Sequence, residues 1–162
     1  MSPHVPKLNK LIKVSFELGE KSMQQRRVLI VDDTTPVRVL LQHTFKELMP
    51  NYHAVVSPNG AKALDELQQQ SFDLILTDYD MPDMDGLELA KKVRQILPDA
   101  RIVLMSCNDF RQFCDDVEKM KIDGYLKKPF NVTQLLKSVE HAMGNHGDFS
   151  SSRLKPGLVK AN

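Results

Sequence analysis

Acidic side chains crowd one loop of the sequence. The stretch LILTDYDMPDMDG, residues 74–86, runs from apolar residues into four aspartates, Asp78, Asp80, Asp83 and Asp85. Carboxylates at such close spacing repel one another unless a cation neutralises them. The loop could therefore contain a metal site, carry a nucleophilic carboxylate, or simply face solvent.

Polar residues follow other apolar runs as well. Three of these runs end in groups that could bind a metal or a phosphate: Asp32 and Asp33 after VLIV, Ser106 after RIVLM, and Lys127 and Lys128 after GYL. Ligands of open parallel α/β sheets bind at the carboxyl ends of the strands. If these runs are neighbouring strands, we expect their polar groups to converge with Asp78 on one cleft.

Three carboxylates in one cleft would need a bound cation. Oxygen ligands with open coordination positions suit Mg2+, which keeps bound waters and can be shared with phosphate. A lysine and a hydroxyl opposite the metal suit a phosphoryl group, whose oxygens need neutralising on several sides. Asp78 is the central carboxylate and the candidate nucleophile, because carboxylates can form acyl phosphates.

The end of the acidic loop has a simpler interpretation. We interpret Asp83 and Asp85 as turn residues, with Gly86 relieving backbone strain. An EF-hand calcium loop is the alternative, because the residues from Asp83 to Gly86 resemble the middle of such a loop. That alternative fails, since its first ligand would be Met81 and its last would be Lys92.

Five short apolar runs predict the strands of a sheet. They occupy residues 28–31, 53–56, 74–77, 101–105 and 124–126. Continuous apolar runs suit strands that are buried on both faces. A segment with apolar residues at helical spacing follows each run, so strands and helices alternate five times. This alternation predicts an α/β fold with a parallel sheet and helices on both faces.

Local signals indicate where the helices begin. Thr35 and Pro36 suit the N-cap and the first position of the first helix. Pro58 is expected to open the second helix, and Asn131 and Gln134 resemble a capping box before the last. The fourth helix is expected to carry the apolar residues Phe110, Phe113, Cys114, Val117 and Met120.

Composition and charge exclude several classes of protein. The 162 residues suffice for one domain, and the formal net charge of +1 creates no field that favours nucleic acid. The two cysteines, Cys107 and Cys114, cannot build a disulfide framework. The sequence has neither a run of about 18 apolar residues nor the apolar core of a signal peptide. We therefore expect a cytoplasmic protein with no membrane span and no direct contact with nucleic acid.

The two ends of the chain differ from its centre. Residues 1–25 form a basic, polar extension that could be helical, because one stripe of a short helix would collect its apolar residues Leu8, Leu11, Ile12 and Phe16. Such a helix could fray, dock on the body of the protein, or form a homodimer. Residues 145–162 are rich in Ser, Gly, Pro and Lys and are predicted to be a flexible tail.

The ordered motifs resemble a response-regulator receiver domain of two-component signalling. VLIVDD, LILTDYDMPDMDG, IVLMS and GYLKKPF stand in the family's order, each at a predicted strand end, and the resemblance covers residues 26–144. It implies a flavodoxin-like, doubly wound sheet of five parallel strands in the order 2-1-3-4-5, within three αβα layers.

The resemblance implies a role for each acidic residue of the cleft. Asp78 would accept a phosphoryl group. Asp33 would bind Mg2+ directly, and Asp32 would bind it through a water molecule. The backbone carbonyl of Asp80 would be a further metal ligand.

The resemblance also implies roles for three residues on the later strands. Lys128 would pair with the phosphoryl group, and its bond to Pro129 is commonly cis in the family. Ser106 would form a hydrogen bond with a phosphoryl oxygen. Tyr125 would swing inward behind Ser106 and act as a switch.

The implied function is that of a single-domain response regulator, since no output domain follows. A histidine kinase or histidine phosphotransferase would donate the phosphoryl group, and a downstream protein would bind the face of the fourth helix, fifth strand and fifth helix. The chain would not be an enzyme beyond catalysing its own phosphorylation and dephosphorylation. Two alternatives remain: a haloacid-dehalogenase-like phosphatase, whose Asp-x-Asp opening Asp78 and Asp80 resemble, and a receiver fold used as an unphosphorylated docking module.

Overall fold

Five strands and five helices alternate within the described part of the chain. A computed structural model describes residues 25–109 and 114–144. The strands are β1 (Arg26–Val31), β2 (Tyr52–Ser57), β3 (Leu74–Asp78), β4 (Arg101–Ser106) and β5 (Gly124–Lys127). The helices are α1 (Thr35–Leu48), α2 (Gly60–Gln69), α3 (Gly86–Ile96), α4 (Cys114–Lys119) and α5 (Val132–Gly144).

The strands form one parallel sheet in the order β2-β1-β3-β4-β5. The α/β class, the five parallel strands and the order 2-1-3-4-5 are therefore confirmed. The register sets the strand ends side by side, with Val31 beside Thr77, Asp78 beside Met105 and Ser106 beside Lys127. Every polar group of the predicted cleft therefore ends or follows a strand at the same edge of the sheet.

Two apolar clusters cover the two faces of the sheet. Alternate residues of a strand point to opposite faces, so Leu29 lies in one cluster and Ile30 in the other. Helices α2, α3 and α4 complete the first cluster, whereas α1 and α5 complete the second. Full burial of one such side chain contributes about 1.5–3 kcal/mol relative to exposure. The packing gives the predicted three layers. It also fixes the positions of the strand ends that carry the polar residues.

The first helix begins one residue away from the predicted position. Thr34, not Thr35, occupies the N-cap, and Pro36 follows Thr35 inside the first turn. The reason lies in the preceding turn, where the backbone amide of Thr34 donates to Oδ1 of Asp32 at 2.8 Å. The Thr34 hydroxyl donates to Asp33 at 3.2 Å and makes no capping bond. The turn is therefore set by the acidic pair.

Other helix boundaries follow side-chain caps. The second helix begins at Gly60 rather than at Pro58, because the Asn59 side chain accepts from the amide of Lys62 at 2.9 Å. The capping box before α5 is confirmed by two reciprocal bonds of 2.9 Å between Asn131 and Gln134. Phe110 and Phe113 lie outside the described residues. So does the apolar stripe predicted near the start of the chain.

Among residues 25–109 and 114–144, no helix combines the length and the apolar character that crossing a membrane requires.

Candidate functional site

Asp78 ends the central strand and is buried at the edge of the sheet. The next residue continues the sheet, because the amide of Tyr79 donates to the carbonyl of Met105 at 2.7 Å. Asp78 therefore lies in a fixed position between β1 and β4. A carboxylate held this way cannot turn freely into solvent, so neighbouring side chains determine its chemistry.

The structure gives Gly86, at the end of the acidic loop, a different role from the predicted relief of backbone strain. A Cβ atom at Gly86 would lie 2.3 Å from the carbonyl oxygen of Asp78, so Gly86 is needed for close approach and not to relieve strain. The left-handed residue of the loop is Asp83, with φ of 66°. Asp85 caps α3 by accepting from the amide of Glu88 at 2.8 Å. These contacts agree with the interpretation of Asp83 and Asp85 as turn residues.

Lys128 joins two of the predicted carboxylates. Its Nζ lies 2.8 Å from Oδ2 of Asp32 and 2.9 Å from Oδ2 of Asp78. Its backbone amide donates to the carbonyl of Ser106 at 2.8 Å, and its peptide bond to Pro129 is cis. The lysine is thus fixed at its backbone as well as at its ammonium group. Lys127 is exposed, in agreement with its interpretation as a solvated neighbour.

Three carboxylates form a cluster that fits a magnesium ion. Asp32, Asp33 and Asp78 each offer an oxygen, and these oxygens lie within 4.8 Å of one another. Asp32 and Asp78 are buried, while Asp33 is exposed and leaves one side of the cluster open. Oδ1 of Asp78 is buried and accepts no hydrogen bond from any described residue. An unsatisfied buried oxygen is costly, and an all-oxygen cluster with an open side suits Mg2+.

The pair of Asp78 and Lys128 has perturbed acidity. Burial raises the pKa of Asp78 above its ordinary value, the Lys128 ammonium opposes this shift, and Asp32 adds to it. Burial acts to lower the pKa of Lys128, but its bonds to Asp32 and Asp78 outweigh burial and leave that pKa raised. Lys128 therefore stays protonated at neutral pH, and Asp78 is poorly solvated. A poorly solvated carboxylate is a better nucleophile than one in bulk water.

A second group of polar residues adjoins the cluster. Ser106 is buried, and its hydroxyl donates to Oδ2 of Asp80 at 3.4 Å while accepting from the amide of Asn108 at 3.0 Å. The Asn108 side chain donates to Oδ1 of Asp80 at 3.5 Å. The side chain of Asp80 is thus turned toward the loop after β4. Its backbone carbonyl remains a predicted metal ligand.

Tyr125 contacts the same loop from β5. Its hydroxyl donates to the backbone carbonyl of Asn108 and lies 3.5 Å from that of Ser106. Burial raises the pKa of Tyr125, and negative charge at Asp109 adds to the shift. The ring packs against the cluster beneath α2, α3 and α4. Tyr125 therefore links β5 to the end of β4 and the loop that follows it.

Two supporting residues were missed in the sequence. The amide of Thr34 holds the Asp32 carboxylate, and the Arg38 guanidinium donates to the Asp32 carbonyl at 2.6 Å. A signal for the first contact was present, because aspartate side chains commonly accept from the amide two residues later. The second contact joins α1 to the strand end, and no local sequence pattern indicates it.

Similarity to known proteins decides the family of the chain. Residues 28–140 match the family model of the response regulator receiver domain. The chain belongs to this family. The match excludes the haloacid-dehalogenase-like phosphatase alternative.

Two relatives match this receiver domain over nearly their whole lengths. The response regulator receiver protein CpdR of Brucella abortus is 32% identical over 71% of this chain and 94% of its own length. The chemotaxis protein CheY of Bacillus subtilis is 30% identical over 72% and 97% of the two chains. The crystal structure of response regulator TrrA from Thermotoga maritima, in complex with Mg2+–BeF, is 31% identical, covers 71% and 96% of the chains and has a TM-score of 0.62.

This receiver domain collects its predicted site residues in two adjoining groups. Asp32, Asp33, Asp78 and Lys128 form the first group, joined by the ion pairs and by the carboxylate cluster. The second group consists of Asp80, Ser106 and Tyr125, joined through the loop after β4. The family binds Mg2+ at its acidic site and acts in two-component signalling. The carboxylate cluster of this chain is compatible with such an ion.

Proposed function

We propose that this receiver domain accepts a phosphoryl group on Asp78 from a phosphohistidine of a histidine kinase or histidine phosphotransferase. The observation that carries the proposal is the position of Lys128, whose ammonium bridges Asp32 and Asp78 beside the unpaired Oδ1 of Asp78. One oxygen of the nucleophile is thus held by a cation, while the other has no hydrogen bond to release before it attacks.

The transfer exchanges one bond to phosphorus for another. An oxygen of Asp78 forms the new O–P bond as the N–P bond of the donor breaks, and the departing imidazole keeps the electron pair and takes up a proton. Bound Mg2+ supplies positive charge for the phosphoryl oxygens. Asp32, Asp33 and Asp78 would hold that ion, together with the backbone carbonyl of Asp80. Lys128 would neutralise a further phosphoryl oxygen.

Phosphorylation would be transmitted through the second polar group. The Ser106 hydroxyl would leave Asp80 and donate to a phosphoryl oxygen, which draws the end of β4 inward. Tyr125 would follow into the vacated space, since its hydroxyl already contacts that loop. The positions of Ser106 and Tyr125 before and after phosphorylation would favour different conformations of the face formed by α4, β5 and α5. A downstream protein would bind one of these conformations more tightly than the other.

The proposal limits the chemistry of the protein to its own phosphorylation cycle. Asp78 would accept the phosphoryl group, and hydrolysis would release phosphate and regenerate the Asp78 carboxylate, so no other substrate would be turned over. Similarity to CpdR and CheY over nearly their whole lengths supports a single-domain regulator. Signalling would then depend on a separate downstream protein.

Labelling with acetyl phosphate tests this proposal. We expect a phosphate-affinity gel to separate a modified form when Mg2+ is present and to lose it when EDTA is added. Asp78→Asn should abolish the shift. Asp83→Asn is the matched control, because it removes an aspartate from the same loop, and asparagine tolerates the left-handed conformation found there. Equal labelling of both variants would contradict Asp78 as the acceptor.

A further inference from the structure

Arg38 joins the start of α1 to the end of β1. Its side chain is half-buried, and one guanidinium nitrogen donates to the backbone carbonyl of Asp32 at 2.6 Å. A second guanidinium nitrogen donates to the hydroxyl of Thr35 at 2.9 Å. The planar guanidinium presents its donors in a rigid fork, so two acceptors fix its orientation as well as its distance. Arg38 therefore holds the turn that carries the acidic pair.

The bond to Asp32 acts where the chain leaves the sheet. The strand pairing of β1 ends at Val31, and the amide of Asp32 makes a further bond of 3.3 Å to the carbonyl of Ser57. The carbonyl that Arg38 holds belongs to the next peptide unit, which joins Asp32 to Asp33. A peptide unit is planar, so holding its carbonyl oxygen also restricts the position of the Asp33 Cα atom.

Asp33 depends on this restriction more than the other two acids of the carboxylate cluster. Asp32 is held at one carboxylate oxygen by the amide of Thr34 and at the other by Lys128, both at 2.8 Å. Asp78 is buried and pairs with Lys128 at 2.9 Å. Asp33 is exposed, and among the described residues its carboxylate accepts one hydrogen bond, of 3.2 Å from the Thr34 hydroxyl. The backbone therefore largely determines where the Asp33 carboxylate lies.

We propose that Arg38 is a positioning residue for the magnesium site. Its guanidinium holds the peptide unit between Asp32 and Asp33, and this keeps the Asp33 carboxylate in the cluster, whose oxygens lie within 4.8 Å of one another. A ligand that is already in place loses less conformational freedom when an ion binds. Arg38 acts through Asp33 and does not itself bind the ion. The inference rests on the proposed function in assigning Mg2+ to the carboxylate cluster.

The charge of Arg38 has the opposite effect on Mg2+ binding from its hydrogen bond. A positive charge near a cation site repels the ion, so removing that charge alone should tighten binding. Losing the bond to the Asp32 carbonyl should weaken binding by about tenfold, as is usual for residues that orient metal ligands. The sign of the change therefore separates the positioning role from an electrostatic one.

Calorimetric titration of the full chain with Mg2+ alone measures that sign. Arg38→Met keeps the apolar stem of the side chain and should bind Mg2+ about tenfold more weakly than wild type. Lys46→Met is the matched control, because it removes one positive charge from an exposed position in the last turn of the same helix. Its affinity for Mg2+ should equal that of wild type. Binding by Arg38→Met that is as tight as in wild type, or tighter, would overturn the proposal.

A conservative variant keeps the test decisive if Arg38→Met does not fold. Arg38→Lys keeps the charge and can donate to the Asp32 carbonyl, but it lacks the fork that also reaches Thr35. Its affinity for Mg2+ should lie between those of wild type and Arg38→Met. Thermal melts without Mg2+ show which variants are folded at the temperature of the titration. An affinity of folded Arg38→Lys equal to that of wild type would also overturn the proposal.

The rate of labelling by acetyl phosphate gives a second readout. Arg38→Met should need about tenfold more Mg2+ for its half-maximal rate. Its rate at saturating Mg2+ should fall much less, because Arg38 acts on a ligand of the ion and not on Asp78. A loss of the same size at saturating Mg2+ would overturn the positioning role. Absence of labelling in wild type would instead count against the proposed function, and the titration with Mg2+ alone would still decide the role of Arg38.

Discussion

The ammonium of Lys128 lies 2.9 Å from a carboxylate oxygen of Asp78. The two residues are brought together because β3, β4 and β5 are successive neighbours and the chain leaves each at the same edge. The same ammonium contacts Asp32, so one cation compensates two buried carboxylates. The carboxylate cluster therefore carries more negative charge than the single ammonium of Lys128 can neutralise.

Removing Lys128 should destabilise the folded protein, because the carboxylate cluster would lose its counter-charge. Lys128→Ala leaves two buried carboxylates without their counter-charge, so we expect a loss of about 1–3 kcal/mol in the free energy of unfolding without Mg2+. Mg2+ should restore much of this loss, because a cation that binds the folded state stabilises it. Urea melts with and without Mg2+ provide the measurement. Lys127→Ala, at the exposed neighbouring position, should have little effect; a similar loss there would argue against the ion pairs as the cause.

Removing an acid should have the opposite effect. Asp78→Asn and Asp33→Ala each relieve repulsion in the cluster, so both should raise the midpoint of thermal unfolding without Mg2+ by about 2–4 °C. Both should also weaken the stabilisation that Mg2+ provides to wild type. Lower midpoints in both variants would count against a strained acidic cluster.

The stabilisation of the folded protein by Asp78→Asn should depend on pH. The folded-state pKa of Asp78 is raised by burial, so the ionised form costs stability above that pKa and the cost is relieved as the pH falls through it. The difference in midpoint between Asp78→Asn and wild type should therefore be largest near neutrality and shrink toward pH 4. Thermal melts across this range without Mg2+ test the sign. A difference that grows as the pH falls would contradict the role assigned to burial.

Much of this site could be predicted from sequence because strand ends are well marked. Apolar runs that stop at Asp32, Asp78 and Ser106 place polar groups at one edge of any parallel sheet, and this does not depend on the conformation of the loops. The reason for Gly86 was not predictable, because the close approach of α3 to the Asp78 carbonyl is a tertiary contact. The bond from Ser106 to the Asp80 side chain likewise depends on how two loops meet.

The Asp80 side chain should lengthen the life of the acyl phosphate. Its negative charge beside Ser106 would disfavour attack by hydroxide-like water through simple repulsion. Asp80→Asn should therefore lose the phosphoryl group faster, by about tenfold if the repulsion amounts to about 1.4 kcal/mol. Hydrolysis can be followed on phosphate-affinity gels after the donor is removed, with Asp83→Asn as control. Identical rates for Asp80→Asn and wild type would refute the repulsion argument.

The hydroxyl of Ser106 should couple phosphorylation to partner binding. Ser106→Ala removes the donor that would follow the phosphoryl group, so a downstream protein should lose most of its preference for the modified form while Asp78 is still labelled. A preference of about 1.4 kcal/mol corresponds to a tenfold difference in affinity. Binding with and without a beryllofluoride mimic measures it. Equal affinity of wild type in both states would favour the unphosphorylated docking module.

The most direct test of the account is the chemical identity of the modified residue. An acyl phosphate on an aspartate is reduced by borohydride to homoserine, and peptide mass mapping then locates it. After treatment with acetyl phosphate and Mg2+, we predict homoserine at position 78 in wild type and no homoserine in Asp78→Asn. Homoserine at Asp33, Asp80 or another aspartate of wild type would contradict Asp78 as the phosphoryl acceptor.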